Sequence, residues 1–361
     1  MKITVAREEF SEALKDVLKA TAVKPMQPIL SGIYLKAENS TLEMQATDHS
    51  VGIISKIMAN VEESGETVII GRKLFEIVQK LSGATLTITA DDKNAEIKSA
   101  GAKYNLLVFD AEDFPKIQRE ENLLTINLEQ LALKKLIRKS AFAAAEKETS
   151  RPVFSGVMFE LDGEKLTLAA TNTHRLAVAS MPLEENYSAE KNVIPAKVLQ
   201  EVSGMMGAGG VVEISFSDKK VAFTFDNLFV TTRLIADNFP PYEKLLNSDR
   251  PISAQLLKED FFGALERVSV IAKEHNYEMV KLEFGDGVKI SSSSPEIGTA
   301  EEFVTANVEG GELEIGFNYE YLLDVLKVME SEEVSISMSS NLAPLDFQEE
   351  NFRYIVTPVR Y

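Results

Sequence analysis

Apolar residues recur at helical spacing in three widely separated stretches of the chain. In 10-FSEALKDVL-18 the apolar positions follow the i, i+3, i+4, i+7 order that places them on one face of an amphipathic helix. The same order occurs around Leu136 and again around Leu265. A second helical stretch follows each of these, at 71–83, 195–207 and 319–329. The pattern therefore predicts three pairs of amphipathic helices.

Strict alternation of apolar and polar residues follows the second helix of each pair. It is seen in 85-TLTITA-90, 211-VVEISF-216 and 334-VSISM-338. Alternation with a period of two is typical of a strand with one face buried. We therefore expect the helices to cover one face of antiparallel sheets, which makes the fold class α+β.

The chain also repeats itself at a fixed offset. The segment 28-PILSGIYLKAENSTLEMQATDHS-50 matches 152-PVFSGVMFELDGEKLTLAATNTHR-175, with Pro28 and Pro152 124 residues apart and one residue inserted before the second histidine. The turn signals 113-DFP-115 and 238-NFP-240 close the first two copies. The repeat predicts three tandem, structurally similar domains at 1–122, 123–247 and 248–361, each with two helices on antiparallel sheets.

The amino-acid composition argues against several classes of functional site. The 361 residues contain no cysteine and only three histidines, none of them paired at the spacing of a zinc site. The sequence therefore predicts no metal and no cofactor. The start of the chain lacks the apolar run of a signal peptide, and no run is long enough to span a bilayer, so a cytoplasmic location is expected.

One cluster raises the question of catalysis. The segment 168-LAATNTHRLAVAS-180 places Thr171, His174 and Arg175 close together, as a nucleophile, a base and an anion clamp would be. A repeat-built hydrolase acting on a nucleotide or phosphate ester through His174 is therefore an alternative function. Against it, adjacent positions on a strand face opposite sides, and the related segment 46-ATDH-49 makes the cluster a feature of the fold first. The Gly-rich 204–210 lacks the ending of a phosphate-binding loop.

The distribution of charge is uneven. The chain carries a formal net charge of −18, which argues against nucleic acid as a partner. Residues 131–145, however, contain Lys134, Lys135, Arg138 and Lys139 and no acid. A solvated helix face and a DNA-facing surface both fit this window.

Three signatures are spread over the second half of the chain: ATNTHRLA at 170–177, the NFPPY turn at 238–242, and 354-YIVTPVRY-361. Together with the threefold repeat, they resemble the bacterial sliding clamp family, the beta subunits of the replicative DNA polymerase. The resemblance implies a head-to-tail homodimer that closes six domains into a ring around double-stranded DNA, bound without regard to sequence. It implies a processivity factor without a catalytic site, whose partners are the replicative polymerase, the clamp loader and repair polymerases that carry short clamp-binding peptides.

The resemblance also implies three sets of site residues. The partner-peptide groove is implied at Thr171, His174, Arg175, Leu176, Pro240, Lys244, Leu245, Leu342, Pro344, Ile355, Val356, Pro358, Val359 and Arg360. The DNA-facing set is Lys24, Arg72, Lys134, Lys135, Arg138, Lys139, Arg151 and Lys197. The dimer interface is implied at Tyr104, Leu106, Val270 and Ile271.

Five positions depart from the family pattern. Asn172 and Thr173 replace an Asp-Gly pair that is common in the family's version of the groove stretch, which reduces local backbone freedom. Glu148, Pro152 and Val153 stand where some members carry a glutamine and a tyrosine pair that touch DNA.

Overall fold

A computed structural model describes residues 1–120, 124–146, 150–272 and 279–359 of the chain. The first repeat contains helices α1 (Arg7–Val17) and α2 (Gly71–Lys80). Its strands are β1 (Lys2–Ala6), β2 (Gly32–Glu38), β3 (Thr41–Thr47), β4 (Val51–Met58), β5 (Asn60–Glu63), β6 (Gly65–Ile70), β7 (Thr85–Ala90), β8 (Asn94–Ser99) and β9 (Ala102–Phe109).

The second repeat contains helices α3 (Gln130–Ser140) and α4 (Ala196–Met205). Its strands are β10 (Leu124–Glu129), β11 (Gly156–Thr171), β12 (Arg175–Pro195), β13 (Val211–Phe216), β14 (Lys220–Phe225) and β15 (Leu228–Arg233). A single helical turn, α5 (Glu243–Leu246), follows β15 in the segment that connects to the third repeat.

The third repeat contains helices α6 (Lys258–Ala272) and α7 (Tyr319–Val328). Its strands are β16 (Ile252–Leu257), β17 (Met279–Phe284), β18 (Val288–Ser294), β19 (Gly298–Val304), β20 (Ala306–Glu309), β21 (Leu313–Asn318), β22 (Glu333–Met338), β23 (Leu345–Glu349) and β24 (Phe352–Val356). The three predicted helix pairs and the α+β class are thus confirmed.

The apolar stripe of each helix explains why it forms where it does. In α1 the buried residues are Phe10, Ala13, Leu14 and Val17, the same positions that define its periodicity. No side chain caps the start of α1, so its stability comes from packing of this face. Burying a side chain such as Phe10 or Leu14 contributes about 1.5–3 kcal/mol.

The described chain packs as two compact units whose limits differ from those of the repeats. The N-terminal unit comprises Met1–Leu133 and Glu201–Leu234, and the C-terminal unit comprises Lys134–Gln200 and Ile235–Tyr361. The second repeat is divided because its strands pair in two directions. Strand β15 pairs with β4 of the first repeat, whereas β12 pairs with β24 of the third.

The N-terminal unit contains one sheet of thirteen antiparallel strands, in the order β10-β13-β14-β15-β4-β3-β2-β6-β9-β8-β7-β1-β5. The C-terminal unit contains a seven-stranded sheet, β11-β12-β24-β23-β22-β16-β20, and a four-stranded sheet, β19-β18-β17-β21. Among the described residues, no helix is long and apolar enough to cross a bilayer.

Candidate functional site

The segment Thr171–Arg175 is a tight turn that joins β11 to β12. The Thr171 hydroxyl donates to the carbonyl oxygen of Arg175 at 2.7 Å and accepts from the Thr173 amide at 3.2 Å. The side-chain oxygen of Asn172 accepts from the amides of His174 and Arg175 at 3.1 and 3.0 Å. Side chains of this kind replace backbone partners in turns, which explains why polar residues cluster here.

The first repeat builds the same turn between β3 and β4. The Thr47 hydroxyl donates to Val51 O at 2.8 Å, and the Asp48 carboxylate accepts from the amides of Ser50 and Val51 at 2.8 Å. Both turns place their third residue at positive φ, 73° at His49 and 79° at Thr173. The turns are therefore equal in length. The predicted insertion is wrong, and His49 corresponds to Thr173 rather than to His174.

The backbone of Thr173 is strained, and this strain offers a direct test of the turn geometry. A β-branched residue at a φ of 79° is strained, because left-handed backbone brings Cβ close to the following carbonyl. Replacing Thr173 with Gly is expected to raise the free energy of unfolding by about 1 kcal/mol. Chemical denaturation would measure the gain, with Thr173→Ala as the control that keeps Cβ. A lower denaturation midpoint for Thr173→Gly than for the unchanged chain would contradict the assigned turn.

Arg175 is held inside the C-terminal unit. Its guanidinium forms an ion pair with Asp324 at 2.7 Å and donates to the carbonyl oxygen of Phe142 at 2.7 Å. It lies over the rings of Tyr321 and Phe142, at 4.5 and 5.5 Å from their centroids. The resemblance implies that Arg175 belongs to the groove, but its side chain is only 5% exposed. Its role is to fasten the turn to α7.

The hydrogen bonds of Thr171 and His174 do not form a catalytic dyad. The Thr171 hydroxyl proton is directed at a backbone carbonyl, so it is not shared with a base. His174 is exposed, and its carbonyl oxygen accepts from the amide and hydroxyl of Thr357 at 2.8 and 3.0 Å. His174 therefore contributes its backbone to the join between the turn and the C-terminal segment.

An apolar cluster lies beside this turn. Leu176 and Ile355 pair across β12 and β24 and are almost completely buried, together with Tyr242. Phe239 and Leu246 of the connecting segment pack against them and are half-buried. Burial raises the pKa of Tyr242 above its ordinary value, so the phenol is neutral within the cluster. Val356 is fully buried as well. We call Leu176, Ile355 and Val356 the floor.

Exposed apolar side chains lie close in sequence to residues of this cluster and of its neighbouring strands. Leu245, Leu342 and Val359 are exposed by 45%, 69% and 39% of their surface. Pro240, Pro344 and Pro358 are half-buried, and Lys244 is exposed. Strand β23 begins at Leu345, which pairs with Val356, so the segment that contains Leu342 and Pro344 leads directly to the floor. Arg360 lies outside the described residues.

A buried charge cluster, which the sequence pattern does not reveal, anchors α5 beside the floor. Asp346 is fully buried and forms ion pairs with Arg250, at 3.3 Å, and with Arg353. Both arginines also donate to backbone carbonyls of α5: Arg250 to Leu245 and Arg353 to Leu246. Because these bonds satisfy the open end of a one-turn helix, the cluster fixes where Leu245 stands.

The comparisons with known proteins cover the whole chain. Family models of the DNA polymerase III beta subunit match in order: the N-terminal domain at residues 1–118, the central domain at 127–241 and the C-terminal domain at 245–360. The chain belongs to the DNA polymerase III beta-subunit family, the sliding clamps. The family is that of a processivity factor without its own catalytic site, and the hydrolase alternative is not supported.

Individual sliding clamps agree over their full length. The beta sliding clamp of Staphylococcus epidermidis is 30% identical over 100% of this chain and 99% of its own. The DNA polymerase sliding clamp of Bacillus subtilis superposes with a TM-score of 0.95 at 31% identity, covering 100% of this chain and 99% of that one. A sliding clamp of Pseudomonas aeruginosa bound to griselimycin gives a TM-score of 0.94 at 27% identity, with complete coverage of both chains.

Helix α3 carries the basic residues that the clamp resemblance assigns to DNA. Lys135 is exposed and lies 3.9 Å from Glu330, and the exposed Arg138 donates to Lys327 O at 2.6 Å. Lys139 differs, because it is only 15% exposed and pairs with Glu349 at 2.6 Å. Burial alone would raise the pKa of Glu349, but Lys139 and two backbone amides hold it below its usual value. Lys139 is therefore a structural residue, contrary to its predicted place on the open face.

The other predicted DNA-facing residues lie on several elements. Lys24 is exposed in the segment before β2, and Arg72 is exposed at the start of α2, 3.5 Å from Glu76. Lys197 is exposed on α4, and Arg151 pairs with Asp237 at 3.5 Å. Val153 is fully buried, so it offers no surface to DNA, and Glu148 lies outside the described residues.

The predicted dimer residues lie next to unpaired strand edges. Strand β9 pairs with β8 along 102–107 but with β6 only through Val108 and Phe109, so one edge of 102–107 has no partner in the described chain. Tyr104 is exposed on this strand, and Leu107, at 75%, is more exposed than the predicted Leu106. In the C-terminal unit Val270 is 61% exposed and Ile271 is half-buried, and β19 is an edge strand of its sheet within the part of the chain that the structure describes.

Proposed function

We propose that two copies of this chain associate head to tail and close into a ring of six domains around duplex DNA. The observation that carries the proposal is full-length agreement with sliding clamps, which leaves no part of the chain for another fold. The free edges of β9 and β19 support it, because exposed strand edges invite pairing with another chain. A head-to-tail contact that repeats with the right rotation forms a closed ring.

The ring acts through topology rather than through tight contacts. Lysines and arginines meet phosphates, and such contacts carry no sequence information. Weak, mobile contacts permit sliding, whereas the large acidic excess keeps other surfaces from binding DNA. A polymerase tethered to the ring stays at a high effective concentration near its template. This accounts for processivity without catalysis, and the proposal includes a cytoplasmic location with the DNA.

The apolar floor and its border form the docking groove for partners. Leu176, Ile355 and Val356 supply the floor, and Leu245, Leu342 and Val359 supply exposed apolar walls. This combination suits a short peptide with a leucine or phenylalanine anchor, since binding energy concentrates in buried apolar contacts. The partners are the replicative polymerase, the clamp loader and repair polymerases that carry such peptides.

The DNA contact can be tested on helix α3. Replacing Lys134, Lys135 and Arg138 together with Glu is expected to weaken DNA binding, and the plot of log affinity against log salt should lose about one unit of slope per lost phosphate contact. Dimerisation and peptide binding should not change. Binding to short duplex DNA across a salt series measures the effect.

The matched control is Lys139→Glu on the same helix. Because this substitution places two carboxylates together at Glu349, it should lower the free energy of unfolding by more than the triple variant does. An unaltered salt slope in the triple variant would mean that α3 does not face DNA, and the solvated-face interpretation would then stand.

A further inference from the structure

The docking groove has a counterpart in the N-terminal unit that follows from the repeat. Strand β24 pairs with β12 through Arg175↔Val356 and Leu176↔Ile355. Strand β15 pairs with β4 through Val51↔Thr232 and Gly52↔Thr231, each position 124 residues earlier. The bond from the Thr357 amide to His174 O likewise has its equivalent in the bond from Arg233 N to Ser50 O. The framework of the groove is therefore built twice.

A cavity of about 270 Å³ occupies this second framework. One wall is the turn around His49, which Thr47 and Asp48 hold by their side-chain hydrogen bonds. The second wall is the connecting segment 115–118, which the Ile117 amide fastens to Gln45 at 2.9 Å. The third wall is Lys220 with the end of β15. These walls are the repeat counterparts of the groove's turn, linker and final strand.

The chemistry of the two sites differs. The floor residues Leu176, Ile355 and Val356 of the groove are replaced by Gly52, Thr231 and Thr232. A Cβ atom added at Gly52 would lie 3.0 Å from the Ile117 side chain. The connecting segment 115–118 therefore leaves no room for a leucine at this position. The pocket thus lacks the leucine, isoleucine and valine of the groove, and its apolar lining is Val51, Pro115 and Ile117.

Its charged lining is wholly basic. Lys116, Lys220 and Arg233 line the cavity, and no acidic residue does. Lys116 pairs with Glu66 at 3.1 Å and Lys220 pairs with Glu120, and both carboxylates lie outside the lining. Arg233 is exposed and makes no ion pair with any described residue. In a chain of net charge −18, a cavity with an unpaired arginine attracts anions.

We propose that this pocket, the basic pocket of Arg233, Lys220 and Lys116, binds an acidic peptide segment of a partner protein. A carboxylate fits because an arginine fork can bind its two oxygens at once. The choice of a peptide rests on the proposed function of the groove, its repeat counterpart. Partners would then carry two elements, an apolar anchor for the groove and an acidic segment for the basic pocket.

The test uses the full-length dimer and a fluorescein-labelled hexaglutamate peptide, followed by fluorescence anisotropy. Arg233→Ala is expected to weaken binding about tenfold, and Arg233→Glu to abolish it, because both the donor and the charge are lost. Binding should weaken as salt rises. The matched control is Lys80→Glu, which makes the same change of charge at an exposed site on α2 outside the pocket.

Each result decides between outcomes. Loss of binding in Arg233→Glu but not in Lys80→Glu or in the α3 triple variant supports the basic pocket. An equal loss of binding in Lys80→Glu or in the α3 triple variant means non-specific charge attraction and overturns the proposal. Failure of hexaglutamate to bind the unchanged dimer at low salt also overturns it. A leucine-bearing peptide is titrated in parallel: if that peptide alone fails to bind, the groove proposal is wrong and the basic pocket is judged separately.

Discussion

Replacing Val270 with aspartate is expected to convert the dimer into monomers that are not retained on circular DNA. Val270 is 61% exposed on α6 in the single chain, so the new carboxylate does not disturb a core. In the proposed seam the same carboxylate would be desolvated against apolar residues such as Leu107 of the other copy. Losing a central apolar contact costs about 2–4 kcal/mol, which raises the dimer dissociation constant about 30- to 1000-fold.

Sedimentation at micromolar concentration distinguishes a monomer of 39.9 kDa from its dimer. Val211→Asp is the matched control, since Val211 is similarly exposed, at 56%, on β13 outside the seam. Ile271→Asp should have the same direction of effect but is the poorer test, because Ile271 is half-buried and its loss also affects folding. A Val270→Asp protein that sediments as a stable dimer and stays on circular DNA would show that the seam lies elsewhere.

The helices and strands were predictable because their signals are local. Phe10, Leu14 and Val17 define the period of α1 in the sequence and are the residues it buries. The turn at Thr171 was not predictable in the same way. Thr173 and His174 lack the glycine or proline that usually marks a turn, and the hydrogen bonds that hold it come from Thr171 and Asn172. The prediction of a strand at Thr171–Arg175 followed from the residue composition. The hydrogen bonds from the side chains of Thr171 and Asn172 determine that this segment is a turn.

The fate of individual charges depended on distant partners. Arg175 meets Asp324 and Lys139 meets Glu349, and both pairs join residues more than a hundred positions apart. Helical spacing placed Lys139 on an open face because it considers only neighbours along one helix. The division into two units has the same origin. Strand pairs such as β4 with β15 cross a repeat boundary, and no local sequence pattern predicts them.

Deleting Val359, Arg360 and Tyr361 is expected to weaken binding of a leucine- or phenylalanine-bearing partner peptide by about 2–4 kcal/mol, or about 30- to 1000-fold. Val359, the proposed wall of the groove, is an exposed apolar residue whose amide donates to Gly316 O at 2.8 Å, so it is positioned by the body of the C-terminal unit. Arg360 and Tyr361 lie outside the described residues. Strand β24 ends at Val356, and Thr357 keeps its bonds to His174, so the sheet should survive the deletion.

His174→Ala serves as the matched variant in the same titration. Its side chain is exposed, and its carbonyl oxygen, which holds Thr357, remains in place. Because only rim contact is lost, the peptide affinity should fall less than it does on deleting the chain end. Both variants should still dimerise. If the deleted chain binds the peptide as tightly as the full chain, Val359 is not a wall of the groove, and the exposed Leu342 and Leu245 must carry the anchor between them.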